Sequence, residues 1–306
     1  MLKRYLSGLL LVGALTCCAQ LAAEEVAVVD GRGTTVRLPQ PAQRIVSMAP
    51  HLTEQLFAVG AGGQIVATVD YSDYPPAALS IPRIGSNNAI SYESIVGLAP
   101  DLVLAWQSGN GGEMIARLES LGLTVFVDVP DSLAAIGATL GKLGRLAGTE
   151  REAERVQLQY QSKLAELRRL YSRQRPQSVF YQVWDDPLLT LNGEHVISEV
   201  IRLCGGRNVF ASALPLVPKL SVESVIAANP QVIIASGEEH QRRAWLKDWQ
   251  TWPMLDAVKS QRLYFVPASL LQRHSPRILE GAELLCRQLQ AEHHSGPQPG
   301  FRAGGE

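Results

Sequence analysis

Four short stretches of the chain carry side chains suited to gripping a small molecule. Tyr71-Ser72-Asp73-Tyr74-Pro75-Pro76 sets two phenol rings beside an acid. Trp106 leads into Gln107-Ser108-Gly109-Asn110-Gly111-Gly112, Trp184 into Asp185-Asp186, and Arg273 opens Arg273-His274-Ser275-Pro276-Arg277. Aromatic faces cover a flat or apolar ligand at low conformational cost, and a guanidinium grips carboxylate or amide oxygens. Singly, each ring is more often explained by ordinary packing. What unites Tyr71, Trp106 and Trp184 is that each follows a predicted strand, where α/β proteins bind their ligands.

Catalytic patterns are not found in the sequence. It contains no GxSxG elbow and neither GxxxxGK[ST] nor GxGxxG phosphate loops. Ser275 beside His274 is no triad, because sequence neighbours rarely face one another. His51, His195, His240 and His274 are scattered along the chain, and the spacing of Cys204 and Cys286 fits no zinc signature. No catalytic residue and no metal ligand is assigned, and the chain is not read as an enzyme. A secreted enzyme or metal-handling protein remains the remote alternative.

The elements that must hold these groups alternate between strand and helix. Apolar runs read as strands at Arg44 to Met48, Ile65 to Val69, Leu102 to Ala105, Val125 to Val127, Val179 to Val183, Val232 to Ala235 and Leu263 to Val266. Helical spacing falls between them, at Thr53 to Val59 with Thr53 as N-cap, Ser91 to Leu98, Glu113 to Leu121, Ser132 to Leu146, Val196 to Leu203, Val222 to Ala228 and Ile278 to Ala291. Such alternation predicts mostly parallel sheets covered on both faces. Glu150 to Tyr171 stands apart, being long, charged and free of Gly and Pro. Ala153, Val156, Tyr160, Leu164, Leu167 and Tyr171 mark one apolar face. At 1.5 Å per residue this helix reaches about 33 Å, enough to bridge two lobes.

An internal repeat flanks that helix. Residues 91–105 read SYESIVGLAPDLVLA and residues 221–235 read SVESVIAANPQVIIA, in unbroken register. Each copy is an N-cap serine, an acid in the first turn (Glu93, Glu223), a short helix, a proline and a buried strand. The acid suits the positive helix end. The match predicts two lobes built on one plan. Convergence on a generic helix–strand unit is the alternative, and it also leaves two similar lobes.

The first residues indicate export. Lys3 and Arg4, an apolar run from about Leu9 to Ala19, small Ala22 and Ala23, and then Glu24 form the pattern of a secretory signal peptide, with cleavage expected after Ala23. Lipid attachment at Cys17 or Cys18 is the minor alternative. Removing the leader leaves two cysteines, Cys204 and Cys286, which an oxidising compartment favours as a disulfide; two buried free thiols are the alternative. A formal net charge of −1 gives no reason to expect a nucleic-acid partner. The expected layout is a signal peptide at 1–23, an N-terminal lobe at 24–148, a linker helix at 149–173, a C-terminal lobe at 174–292 and a disordered tail at 293–306.

Several stretches resemble a known family, the periplasmic substrate-binding proteins of ABC importers that have a helical backbone and serve uptake of cobalamin, siderophores and haem. The resemblance rests on Val46-Ser47-Met48-Ala49-Pro50 with Thr53-Glu54, on Tyr71-Ser72-Asp73-Tyr74-Pro75-Pro76, on 93–106, on Cys204-Gly205-Gly206, and on Ser275-Pro276-Arg277 with Cys286. It covers about residues 44 to 290 and is most like the cobalamin-binding components. It implies an α/β fold of two Rossmann-like lobes joined by one long backbone helix (class III of these proteins) with little hinge motion, and a monomer in the periplasm. It implies that cobalamin or a related corrinoid is the transported ligand, with no bound cofactor, and that an inner-membrane permease and its ATPase are the partners. Haem or a ferric siderophore is the alternative ligand. By the same resemblance Tyr71, Trp106 and Arg273 contact the corrinoid, Cys204 and Cys286 form the family's disulfide, and Glu93 and Glu223 dock against permease arginines. Trp184 is added as a substitute aromatic wall. The sequence departs from the family at Asn87, Leu189 and Val217, where large aromatics are usual, and at Ser269, where an Asp is usual.

Overall fold

Runs of apolar residues buried on both faces make the strands, as parallel sheets require. In the computed structural model, which describes residues 25–86, 88–171 and 174–291, they form two separate four-stranded parallel sheets. The expected leader with Cys17 and Cys18, the tail 293–306 and Asn87 lie outside the described residues.

The N-terminal lobe opens with an antiparallel hairpin, β1 (Val26–Val29) and β2 (Thr35–Leu38), which the sequence reading missed. The buried Asp30 carboxylate closes its turn by accepting from the amides of Arg32 at 2.8 Å and Thr34 at 2.9 Å. The sheet follows with β3 (Ile45–Ser47), β4 (Ile65–Thr68), β7 (Leu102–Trp106) and β8 (Val125–Asp128), in the order β4-β3-β7-β8. Between β4 and β7 lies a minor antiparallel pair, β5 (Gly85–Ser86) and β6 (Ala89–Ile90). Helices α1 (Pro50–Ala58), α2 (Tyr92–Gly97), α3 (Gln107–Ser120) and α4 (Leu133–Ala147) complete this lobe.

The C-terminal lobe repeats the scheme. Its strands β9 (Gln177–Gln182), β10 (Gly206–Asn208), β11 (Val232–Gly237) and β12 (Leu263–Pro267) lie in the order β10-β9-β11-β12. In both sheets the strand that is second in chain order within the sheet stands at one edge beside the first, followed by the third and fourth. Helices α6 (Val196–Leu203), α7 (Val222–Ala228), α8 (Arg242–Gln250), α9 (Asp256–Lys259), α10 (Ala268–Leu271) and α11 (Ile278–Gln290) pack around it. The repeated sequence segment therefore falls at equivalent places, as α2–β7 in one lobe and α7–β11 in the other. The N-caps agree as well: Ser91 accepts from the Ser94 amide at 3.2 Å and Ser221 from the Ser224 amide at 3.3 Å.

Helix α5 (Glu150–Tyr171) joins the lobes. Its approach to α4 is set by glycines on α4. A Cβ on Gly144 would lie 2.2 Å from the Ala153 Cβ, and one on Gly137 2.8 Å from the Tyr160 ring. Tyr160 Oη, brought close in this way, donates to the Leu133 carbonyl at 2.9 Å. Leu164 and Leu167 continue the apolar face, and one unbroken core runs from Leu140 through α5 to Val200 and Leu285. Lys163 pairs with Glu283 at 3.0 Å and Arg168 with Glu199 at 3.1 Å, fastening α5 to the C-terminal lobe. Cys204, the C-cap of α6, and Cys286 on α11 are joined by a disulfide within the same core.

Two local expectations need correction. Thr53 is not an N-cap. Helix α1 begins at Pro50, whose missing N–H is costless in a first turn, and the Thr53 hydroxyl instead meets Ser47 Oγ at 2.8 Å and Thr68 Oγ1 at 2.7 Å, tying the helix to β3 and β4. The helix expected at Glu113 to Leu121 also starts earlier than its apolar spacing indicates. It begins at Gln107 and is interrupted at Gly111, whose φ of 77° breaks the regular turn.

Candidate functional site

All strands of a parallel sheet end at one edge, and here the two edges meet. Tyr71 follows β4, Trp106 ends β7, Trp184 follows β9, and Arg273 follows β12 and α10. Side chains from these ends touch across the lobes in two clusters, one ionic and one aromatic.

The ionic cluster centres on Glu54, on the inward face of α1, whose side chain is only 2% exposed. It accepts from Arg273 Nη1 at 3.1 Å, Arg277 Nη1 at 3.2 Å and Ser275 Oγ at 2.5 Å, all from the opposite lobe. Arg273 also grips Asp73 through both terminal guanidinium nitrogens, Nη1 and Nη2, and the Arg277 guanidinium lies 3.9 Å from the centre of the Tyr74 ring. The hydrogen bonds from Arg273 hold the Asp73 carboxyl below the usual carboxylate range, against the opposing effect of burial. Burial lowers the Arg273 pKa, but the hydrogen bonds to Asp73 and Glu54 outweigh it, and the net shift is upward.

The aromatic cluster gathers three histidines that the sequence scatters. The His274 ring lies 5.7 Å from His51, 5.6 Å from His195 and 5.8 Å from Trp106, centre to centre, and His51 meets Trp106 edge-on at 5.2 Å. His51 Nε2 is 3.2 Å from Asp128 Oδ2, and the other Asp128 oxygen accepts from Thr139 Oγ1 at 2.9 Å. The His274 carbonyl accepts from Gln55 Nε2 at 2.7 Å, while neither of its ring nitrogens has a hydrogen-bond partner among the described residues. Burial, with His51 and His195 nearby, drives the His274 pKa well below the usual histidine value, and burial lowers that of His195 to about 4. Both rings are therefore neutral at physiological pH. Among the described residues no group of three or more His, Cys, Asp or Glu side chains is placed to hold a metal ion.

The four ring and guanidinium residues singled out from sequence differ in setting. Tyr71 is 77% exposed and adopts a left-handed backbone, φ 63°. Trp106 is half-buried, its indole tucked against α3, where a Cβ on Gly109 would lie 1.9 Å from the ring. Trp184 is 44% exposed, donates from Nε1 to the Asp186 carbonyl at 3.0 Å, and packs edge-on against Trp245. Arg273 is no free cation, since its guanidinium is occupied from both sides. Below Trp184, Leu189 anchors the turn through backbone bonds to Val183 and Trp184, and exposed Leu214, Leu216 and Val217 lie on the adjacent loop. Ser269 lies on α10. Glu93 and Glu223 stand exposed in the first turns of α2 and α7. The Glu223 carboxyl is held below its ordinary pKa by its own amide and by Ser221. The sequence reading did not single out Glu54, Asp73 or Arg277 as site residues. The available hint was the placement of Asp73 and Arg277 within the same stretches as Tyr71 and Arg273.

A model described as periplasmic binding protein matches residues 45–270. The chain belongs to the periplasmic binding protein family. The match spans both sheets and α5. This family member is 36% identical over 256 residues to a vitamin B12-binding protein of Vibrio cholerae serotype O1, covering 82% of this chain and 91% of that one. It is 34% identical over 250 residues to a vitamin B12-binding protein of Yersinia pestis, covering 82% and 87%. The crystal structure of the periplasmic vitamin B12 binding protein BtuF of Vibrio cholerae superposes with a TM-score of 0.77 at 35% identity, over 82% of this chain and 97% of that one. The periplasmic haem-binding protein RhuT of Roseiflexus matches with a TM-score of 0.71 at 24% identity, over 81% and 97%, and so shares the fold. The two-lobed architecture read from the sequence is thus that of its relatives.

Proposed function

We propose that this periplasmic binding protein captures cobalamin or a related corrinoid between its lobes, outside the cytoplasm, and delivers it to an ABC permease and its ATPase at the inner membrane. The observation that carries the reading is the 36% identity to a vitamin B12-binding protein across 82% of the chain, both lobes included. The strand-end groups support it. Tyr71, Trp106 and Trp184 supply aromatic surface for the apolar macrocycle, and the ionic cluster around Arg273 supplies hydrogen-bonding groups for its amide rim. No bond is made or broken in this scheme, so the protein acts as a monomeric carrier and not as an enzyme. Glu93 and Glu223, exposed at equivalent points of two lobes built on one plan, suit a two-fold symmetric membrane partner bearing basic residues, and such charges govern capture rate more than final affinity.

The test is a visible-spectrum titration of the purified mature chain with cobalamin, haem and a ferric siderophore in turn. Saturable binding of cobalamin at micromolar or lower concentration, tighter than either competitor, is the expected result. Binding of haem or the siderophore with cobalamin excluded overturns the ligand assignment.

A further inference from the structure

We infer that Asp73 is a specificity-determining residue, which neutralises Arg273 at the lobe interface and selects ligands presenting uncharged carboxamides over ligands presenting carboxylates. The inference deepens the ligand-capture reading above and rests on it.

The ionic cluster holds two acids from one lobe, Glu54 and Asp73, and two guanidiniums from the other, Arg273 and Arg277. Their formal charges cancel. Their depths differ: the side chains of Glu54, Arg273 and Arg277 are 2%, 15% and 18% exposed, whereas that of Asp73 is 51% exposed. The member turned toward solvent is therefore an acid. Arg273 is held from within by Glu54 and from without by Asp73, and Arg277 is occupied by Glu54 and the Tyr74 ring. An arriving ligand meets a paired guanidinium covered by a carboxylate.

That arrangement discriminates by charge. A ligand carboxylate aimed at Arg273 must either displace Asp73, stranding it, or lie beside it as a like charge. At a separation of roughly 6 Å in a partly solvated rim, such a repulsion is worth about tenfold in affinity. A primary carboxamide has both halves of the match. Its oxygen accepts from the guanidinium and its NH2 donates to Asp73, so it inserts into the pair without leaving a charge uncompensated. A macrocycle rimmed with amides is thereby favoured over one bearing free propionates.

The experiment compares ligands matched in shape but not in charge. One pair is cobalamin and its monocarboxylic acid, in which one side-chain amide is hydrolysed. The other is iron protoporphyrin and its dimethyl ester. Affinities are read from tryptophan fluorescence quenching of the mature chain as wild type, Asp73→Asn and Asp73→Glu. The wild type is expected to prefer the neutral member by about tenfold. Asp73→Asn should abolish most of that preference, and Asp73→Glu should keep it. The readout is a ratio within one variant, so a general loss of affinity cancels. If corrinoids fail to bind while the porphyrin pair shows the shift, the corrinoid assignment falls and the role of Asp73 stands. An equal ratio in wild type and Asp73→Asn, for whichever pair binds, overturns the role of Asp73. Failure of both pairs to bind overturns both.

Discussion

Replacing Glu54 by Gln should cost about 3 kcal/mol of stability, the lower end of what breaking a buried ion pair costs. The size follows from the geometry. The substitution removes the single negative charge that lies within 3.2 Å of both Arg273 Nη1 and Arg277 Nη1, and it changes the acceptor of Ser275 Oγ. A unit charge pair at about 4 Å is worth about 4 kcal/mol at the effective dielectric near a protein surface, so two such pairs exceed the net effect. The offset is the desolvation that Glu54 no longer suffers, together with the solvent that reaches the two guanidiniums. Urea unfolding of wild type and Glu54→Gln, followed by tryptophan fluorescence, measures the difference as a shift in midpoint at constant slope. Asp73→Asn in the same assay should lose under about 1 kcal/mol, because that side chain is half in water. A double-mutant cycle with Arg277→Met should show strong coupling, since removing both partners leaves no stranded charge. A loss below about 1 kcal/mol for Glu54→Gln would refute the claim that this carboxylate holds the lobes together.

Four further outcomes follow from the structure. Alkylation of the unreduced, denatured mature chain should label neither Cys204 nor Cys286, and reduction should lower stability by about 2–4 kcal/mol in the same urea assay. Stability should fall with acid: the folded pKa of His195, about 4, lies below its unfolded value of 6.5, so the unfolded chain takes up the proton first. The loss due to His195 begins as pH drops through 6.5, is complete near 4, and amounts to roughly 3 kcal/mol; His195→Asn should make the profile shallower in this window when unfolding is measured across pH, the depressed His274 keeping the remaining slope. Trp106→Ala should weaken corrinoid binding by about 1–3 kcal/mol in the spectral titration, and unchanged affinity in a folded variant would place the ligand elsewhere. Glu93→Ala with Glu223→Ala should leave ligand affinity near wild type but slow uptake in reconstituted transporter vesicles, most at low salt; wild-type rates at every ionic strength would assign both acids to their helix ends alone.

The fold was legible because its signals are local. Buried parallel strands are short apolar runs, and α6 and α7 were read to the residue, because Ser221 caps α7 and Gly205 follows α6. The repeat at 91–105 and 221–235 gave the shared plan of the lobes because register is preserved in sequence. The hairpin at 26–38 was missed because its burial alternates, with Val36 and Leu38 inward and Arg37 outward, and its turn is set by the Asp30 side chain. The site was less legible, since its contacts are long-range. Glu54 and Ser275 are 221 residues apart, and His51, His195 and His274 show no spacing pattern that brings them together. Tyr71, Trp106 and Trp184 were singled out because each follows a predicted strand, and Arg273 because its stretch, just before the last helix, resembles the family's. That Arg273 is already paired depends on Glu54 and Asp73, which only the folded lobes bring to it.

The glycine face of α4 has a consequence for how such a jaw can work. With Gly137 and Gly144 admitting Tyr160 and Ala153 so closely that a methyl group would collide, the joint between bridge and lobe has no slack. The aperture between the lobes is thus expected to change little on ligand binding. Adjustment of fit then falls to the rotamers of side chains at the strand ends.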